Sequence, residues 1–161
     1  MNADINLIQA AENLSQYLQK NHARIVTAES CTGGCLAQYI TSIAGSSAWF
    51  DRGFITYSNQ SKIDMLDVKP ETLAQFGAVS AEVAMQMTDG ALRRSEADYA
   101  IAITGIAGPT GGSLEKPIGS VYIAWQKRNH PAKVILVHFS GNREQIRKQA
   151  VYQALNLIPN E

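Results

Sequence analysis

Short apolar or β-branched runs alternate with amphipathic segments along nearly the whole chain, and this alternation restricts the fold more than any other feature. Residues 4 to 20 place Leu7, Ile8, Ala11, Leu14, Tyr17 and Leu18 at helical spacing, as expected of a helix lying on a sheet. RIVTA at 24–28 reads as a buried strand that runs into Glu29, Ser30 and a glycine pair, then into a helix carrying Leu36, Tyr39, Ile40 and Ile43. GFITY at 53–57 is a second strand, followed by a polar turn and a short helix around 62–66. Pro70 fits the first turn of another short helix, and Ser80 caps a helix over 81–94 with Val83, Ala84, Met87 and Ala91 on its apolar face. YAIAI at 99–103 is a fully buried strand, whereas 118–126 and 133–139 form a hairpin around KRNHPA. Asn142, with Gln145 three residues on, opens a final helix that turns Ile146, Ala150, Val151, Ala154, Leu155 and Ile158 inward. The sum is an α/β protein, a three-layer α/β/α sandwich whose mixed sheet has about five strands, with residues 1–161 as one domain.

A chain of 161 residues that is 45% hydrophobic and 17% charged can bury one sizeable core, which agrees with a single domain. Fourteen basic residues balance fourteen acidic ones, so no overall field recruits nucleic acid or an anionic membrane, and any phosphate must be bound locally. The first twenty residues lack a basic start with an apolar core, and no run is long enough to span a bilayer. The expectation is a soluble, cytoplasmic protein. Cys31 and Cys35 are four apart in what reads as one helix, which does not suit a disulfide. Two thiols and three scattered histidines make a poor metal set, so no metal and no other cofactor is expected.

Ser30 is the first candidate for chemistry. A serine where a buried strand meets a glycine-softened helix can present its hydroxyl at the sheet edge, with the backbone N–H groups of Cys31, Thr32 and Gly33 nearby as oxyanion donors. The nucleophile-elbow signature is absent, because Ala28 and Thr32 stand where it requires glycines. Ser30 therefore reads either as a nucleophile or as a helix cap. Cys31 would be the rival nucleophile, but His22, His130 and His138 fall in a helix end, a polar turn and a strand. Without a histidine, a lysine kept neutral by burial can act as base with a tyrosine relaying protons, and Lys62 and Tyr57 are placed for this; otherwise they are a solvated lysine and a strand aromatic. The loop TGIAGPTGGSLEKP at 104–117 is rich in breakers and lacks both the P-loop and the dinucleotide fingerprint, so it suits a ligand other than ATP or a dinucleotide. Arg143 opposes the dipole of the last helix in its first turn, which fits either a nearby anion or a solvated side chain.

Taken together, TAESCTGG at 27–34, AGSSAWFDRGFITYSNQSK at 44–62, GAVS at 77–80, ITGIAGPTGG at 103–112 and GNRE at 141–144 closely resemble the CinA C-terminal domain family. The resemblance spans nearly the whole chain. Stand-alone members of that family hydrolyse nicotinamide mononucleotide to nicotinic acid mononucleotide and ammonia, which would make this chain an amidohydrolase of pyridine-nucleotide recycling. The resemblance implies Ser30 as nucleophile, forming an acyl-enzyme, with Tyr57 and Lys62 as its catalytic partners. It also implies substrate contacts from Thr32, Gly33, Thr104, Gly105 and Arg143. The competing expectations are a non-catalytic nucleotide-binding or interaction domain, and an amidase for another small amide. Family members commonly self-associate, and the apolar pair Trp49–Phe50 is a candidate contributor to a homodimer.

Overall fold

The computed structural model of the protein describes residues 3–161. In chain order its elements are α1 (Ala3–Lys20), β1 (Ile25–Glu29), α2 (Cys35–Thr41), β2 (Phe50–Ile55), α3 (Asn59–Leu66), α4 (Pro70–Phe76), α5 (Ala81–Arg93), β3 (Tyr99–Gly105), β4 (Ser120–Lys127), β5 (Lys133–His138) and α6 (Arg143–Leu157). The strands form one sheet in the order β2-β1-β3-β4-β5. β1 runs parallel to both neighbours, while β4 and β5 are antiparallel, so the sheet is mixed, as the hairpin predicts.

Alternation along the strands assigns the two covering layers. Ile25, Ile101, Ile103, Val121 and Ile123 face a core shared with α1, α2 and α6. Val26, Ala28, Ala100, Ala102 and Ala124 face the other side, under α3, α4 and α5. The alanines on that face bring the helical layer close. Gly90 of α5 lets α3 close as well, because a Cβ there would lie 1.9 Å from the Leu66 carbonyl oxygen. The end of α3 is thus seated on the backbone of α5, and this fixes the helix that carries Lys62.

Chain order places the functional edge. From β1 the chain passes through α2 to β2 on one side, and from β2 through α3, α4 and α5 to β3 on the other. The carboxyl ends of β1 and β3 therefore flank the point where the winding reverses, the place where open α/β sheets leave a crevice. Ser30 follows β1 directly, and its N–H donates to the Ile103 carbonyl at 2.9 Å.

Several expectations need correction. Ile8 is 42% exposed, because the buried stripe of α1 runs Leu7, Ala10, Ala11, Leu14 and Leu18 and leaves Ile8 on its flank. β2 begins at Phe50, and Gly53 sits within it where a Cβ would come 2.8 Å from Thr27 Oγ1. Cys31 lies in a turn outside α2, not in one helix with Cys35. Trp49 is buried in the core under α1, α2 and α6, so it offers no surface for self-association.

Candidate active site

The turn between β1 and α2 decides what Ser30 does. Gly33 and Gly34 adopt φ of +56° and +101°, which delays the helix until Cys35 and leaves Gly34 at its N-cap without a side chain. The buried Glu29 carboxylate supplies the cap, accepting the N–H of Leu36 at 2.9 Å and of Ala37 at 3.1 Å. A carboxylate there also complements the positive end of the helix. Ser30 is thereby released from capping, and its hydroxyl accepts a hydrogen bond from Lys62 instead.

Lys62 rises from α3, whose first turn is capped by the Ser58 side chain accepting from the Ser61 N–H. The lysine is only 1% exposed. Its Nζ donates to Ser30 Oγ at 3.0 Å, to the Thr56 carbonyl at 2.7 Å and to the Tyr57 carbonyl at 3.4 Å. All three acceptors are uncharged, and among the described residues no carboxylate pairs with the ammonium. Burial without a counter-ion disfavours the charged form and lowers the Lys62 pKa from 10.5 to about 8. A buried amine that readily loses its proton is held on a serine hydroxyl.

The rim is made by the loop after β3 and by the first turn of α6. Arg143 donates to the Gly108 carbonyl at 2.8 Å and to the Tyr57 hydroxyl at 3.0 Å, so the exposed phenol faces the guanidinium while the Tyr57 backbone serves Lys62. Thr104 donates to the Ala78 carbonyl at 2.9 Å, tying β3 to the segment ahead of α5. Gly105 has no room for a side chain, since a Cβ would come 2.7 Å from Val121. Ser30, Tyr57, Lys62, Thr104, Gly105 and Arg143 line one cleft of about 270 Å³. Larger depressions of about 470 and 600 Å³ lie elsewhere and contain neither Ser30 nor Lys62.

Thr32 and Gly33, predicted to contact substrate, are not in this cleft. Thr32 is fully buried beneath the turn, and the left-handed conformation of Gly33 carries it to the neighbouring 600 Å³ depression. The Gly33 N–H is also taken, donating to the Ser30 carbonyl at 3.0 Å. Cys31 lines the cleft, but burial pushes its thiol up to about 12, which keeps it protonated at neutral pH. None of His22, His130 and His138 lines the cleft, and among the described residues no three His, Cys, Asp or Glu side chains gather as a metal site. No helix among the described residues is long and apolar enough to cross a membrane.

Two residues of this region escape the sequence reading. Glu29 carried a usable signal, an acid ending an otherwise apolar strand. Arg147, one turn beyond Arg143, gives no local sign that its guanidinium reaches the Cys31 carbonyl at 3.1 Å and the Thr32 carbonyl at 2.9 Å.

A three-layer α/β domain with a lysine buried against a serine at its topological switch point defines the class to which this chain belongs. The particular family follows from comparison: residues 7–161 match the CinA C-terminal domain, and the chain belongs to that family. It is 50% identical over 155 residues to "Nicotinamide-nucleotide amidohydrolase PncC" of Escherichia coli (strain K12), covering 96% of this chain and 94% of that one. It is also 50% identical to a "CinA-like protein" of Geotalea daltonii over 143 residues, which are 89% of this chain and 34% of that longer protein. The fold superposes on the crystal structure of competence/damage inducible protein CihA from Agrobacterium tumefaciens with a TM-score of 0.93 and 45% identity, over 97% of this chain and 96% of that one.

Proposed function

We propose that this chain is a nicotinamide-nucleotide amidohydrolase, converting nicotinamide mononucleotide to nicotinic acid mononucleotide and ammonia. The observation that carries the reading is the 3.0 Å contact between Ser30 Oγ and a buried Lys62 that has no carboxylate partner among the described residues. The relative in Escherichia coli with that printed name, matched along almost its full length, supports the choice of substrate.

In the mechanism, neutral Lys62 takes the Ser30 proton as Oγ attacks the carboxamide carbon. The oxyanion is received by a backbone N–H group of the turn after Ser30, where that of Cys31, which lines the cleft, donates to no backbone acceptor among the described residues. The C–N bond breaks, Lys62 returns the proton to the departing nitrogen, and ammonia leaves an acyl ester on Ser30. Water then attacks the ester and gives its proton to Lys62, which passes it to Ser30 Oγ as the C–O bond breaks and the carboxylic acid is released. Every step is an acyl or proton transfer among chain, substrate and water. Arg143, at the rim, holds the 5′-phosphate through charge-assisted hydrogen bonds. A phosphorylated nucleotide does not cross a bilayer unaided, so this reading also places the protein in the cytoplasm.

Ammonia release from nicotinamide mononucleotide tests the reading. The expected result is turnover by the wild type and its loss, by at least about a thousandfold, in Ser30→Ala and Lys62→Ala. Binding of the nucleotide without ammonia would replace the amidase with a nucleotide-binding domain.

A further inference from the structure

Two segments that line the cleft are held by side chains more than by backbone. Ala78 and Val79 come from the link between α4 and α5, and Thr110 and Gly111 from the loop after β3. In the link, the three successive carbonyls of residues 76–78 accept no main-chain N–H among the described residues, and each takes a side chain instead. Phe76 accepts Lys116 Nζ at 2.7 Å, Gly77 accepts the Ser80 hydroxyl at 2.8 Å and Ala78 accepts the Thr104 hydroxyl at 2.9 Å. In the loop, no N–H from 107 to 112 donates to a main-chain carbonyl among the described residues.

Lys116 joins the two segments. Its backbone closes a turn, with the Ser113 N–H donating to its carbonyl at 2.8 Å and its own N–H donating to Ser113 Oγ at 3.0 Å. Its side chain then crosses to Phe76, 40 positions away in sequence. That carbonyl ends α4, so it is one of those a helix leaves without an internal partner, and the ammonium also meets the negative end of the helix. Nearer β3, Arg143 holds the Gly108 carbonyl at 2.8 Å. The loop is thus anchored to α6 through Gly108 and to α4 through Lys116, with Thr110 and Gly111 between the two anchors.

We propose that Lys116 is a positioning residue for the substrate: by tying the 113–116 turn to the end of α4, it sets the spacing between Thr110–Gly111 and Ala78–Val79, and with it the fit of the cleft around the nucleotide. The inference rests on the amidase reading of this cleft and deepens it by naming what holds the lining in place. Lys116 does not itself line the cleft, and its contacts include neither Ser30 nor Lys62, so its loss falls on binding and spares the chemistry.

The test compares Lys116→Met and Lys116→Arg with the wild type. It measures kcat and KM for ammonia release from nicotinamide mononucleotide, the unfolding midpoint, and, by NMR without ligand, amide exchange at Gly77 and Ser113. These amides lie on the two sides of the contact, Gly77 donating to the Leu73 carbonyl at 2.9 Å in the last turn of α4. The expected result for Lys116→Met is a KM raised about tenfold with kcat within about twofold. Exchange at both amides should quicken by at least about fivefold, while the Ile25 amide, bonded to the Trp49 carbonyl at the start of β1, keeps its rate. At a single carbonyl, away from any bidentate or stacked contact, arginine can stand in for lysine, so Lys116→Arg should hold KM within about threefold of the wild type. A raised KM with unchanged exchange at Gly77 would make Lys116 a charge acting on the substrate directly and would overturn the proposal. So would an unchanged KM, a loss lying in kcat, no rescue by arginine, or faster exchange that extends to Ile25 with a lowered unfolding midpoint. A wild type that releases no ammonia would fail the substrate reading alone, and exchange at Gly77 and Ser113 would then decide whether Lys116 ties the two segments together.

Discussion

At the floor of the cleft Lys62 is buried and bonded to three uncharged oxygens, whereas at the rim Tyr57 is 62% exposed and meets a guanidinium that also holds the loop at Gly108. Both regions place a cation beside a hydroxyl. In the floor, desolvation changes the chemistry of the cation, bringing an amine into the range where it gives up a proton. At the rim the guanidinium is exposed to water, and the same pairing becomes a clamp for an anion. Burial, more than residue type, separates a base from a binding group here.

Replacing the floor cation gives the largest effect. Lys62→Met removes the base, and kcat is expected to fall about ten-thousandfold. The same variant reports the pKa through stability. Lys62 holds its proton less tightly folded, at about 8, than unfolded, at 10.5. The cost of burying the charge is therefore complete below pH 8 and disappears as pH rises toward 10.5. The stability of Lys62→Met relative to wild type should decline across that window by on the order of 1–3 kcal/mol, measured by chemical denaturation at each pH. A flat difference would mean that Lys62 titrates as an ordinary lysine. Wild-type kcat/KM should rise with pH and level off above about 8, since only about one-tenth of Lys62 is neutral at pH 7.

The same division explains what was legible in the sequence. Periodicity and capping chemistry depend on near neighbours, so the strands, the Asn142–Gln145 capping box and the Ser80 cap could be read from the chain. Ser30 remained ambiguous, because whether it caps α2 depends on Glu29 reaching past the glycines to Leu36 and Ala37. Spacing alone left Lys62 as a solvated helix lysine, and its burial arises from α3 seating on Gly90 in a helix that begins some twenty residues later. The family resemblance carried the motif residues, yet Thr32 and Gly33 do not line the cleft, because the positive-φ Gly33 and Gly34 turn the chain aside within four residues of Ser30. Arg147 was invisible, since its carbonyl partners lie 116 and 115 residues away.

At the rim the expected losses are smaller and fall on a different parameter. Arg143→Ala should raise KM for nicotinamide mononucleotide about ten- to a hundredfold with kcat nearly unchanged, the scale of a charge-assisted hydrogen bond to phosphate. The unphosphorylated riboside sharpens the test: the variant should handle it as the wild type does, because the contact it lacks was never made. An equal loss on both compounds would move Arg143 from the phosphate to the floor of the site.

Tyr57→Phe is the smallest and the most discriminating change. The hydroxyl it removes is bonded to Arg143, while the carbonyl that serves Lys62 belongs to the backbone and remains. If the phenol only steadies the guanidinium, KM should rise about threefold and kcat should stay within about twofold. A proton relay between Lys62 and Ser30 would instead place the loss in kcat, at about a hundredfold, and would shift the pH profile with it. Steady-state kinetics across pH 6 to 10 separate the two outcomes, and only the first keeps Tyr57 with Arg143 at the rim, outside the serine–lysine pair.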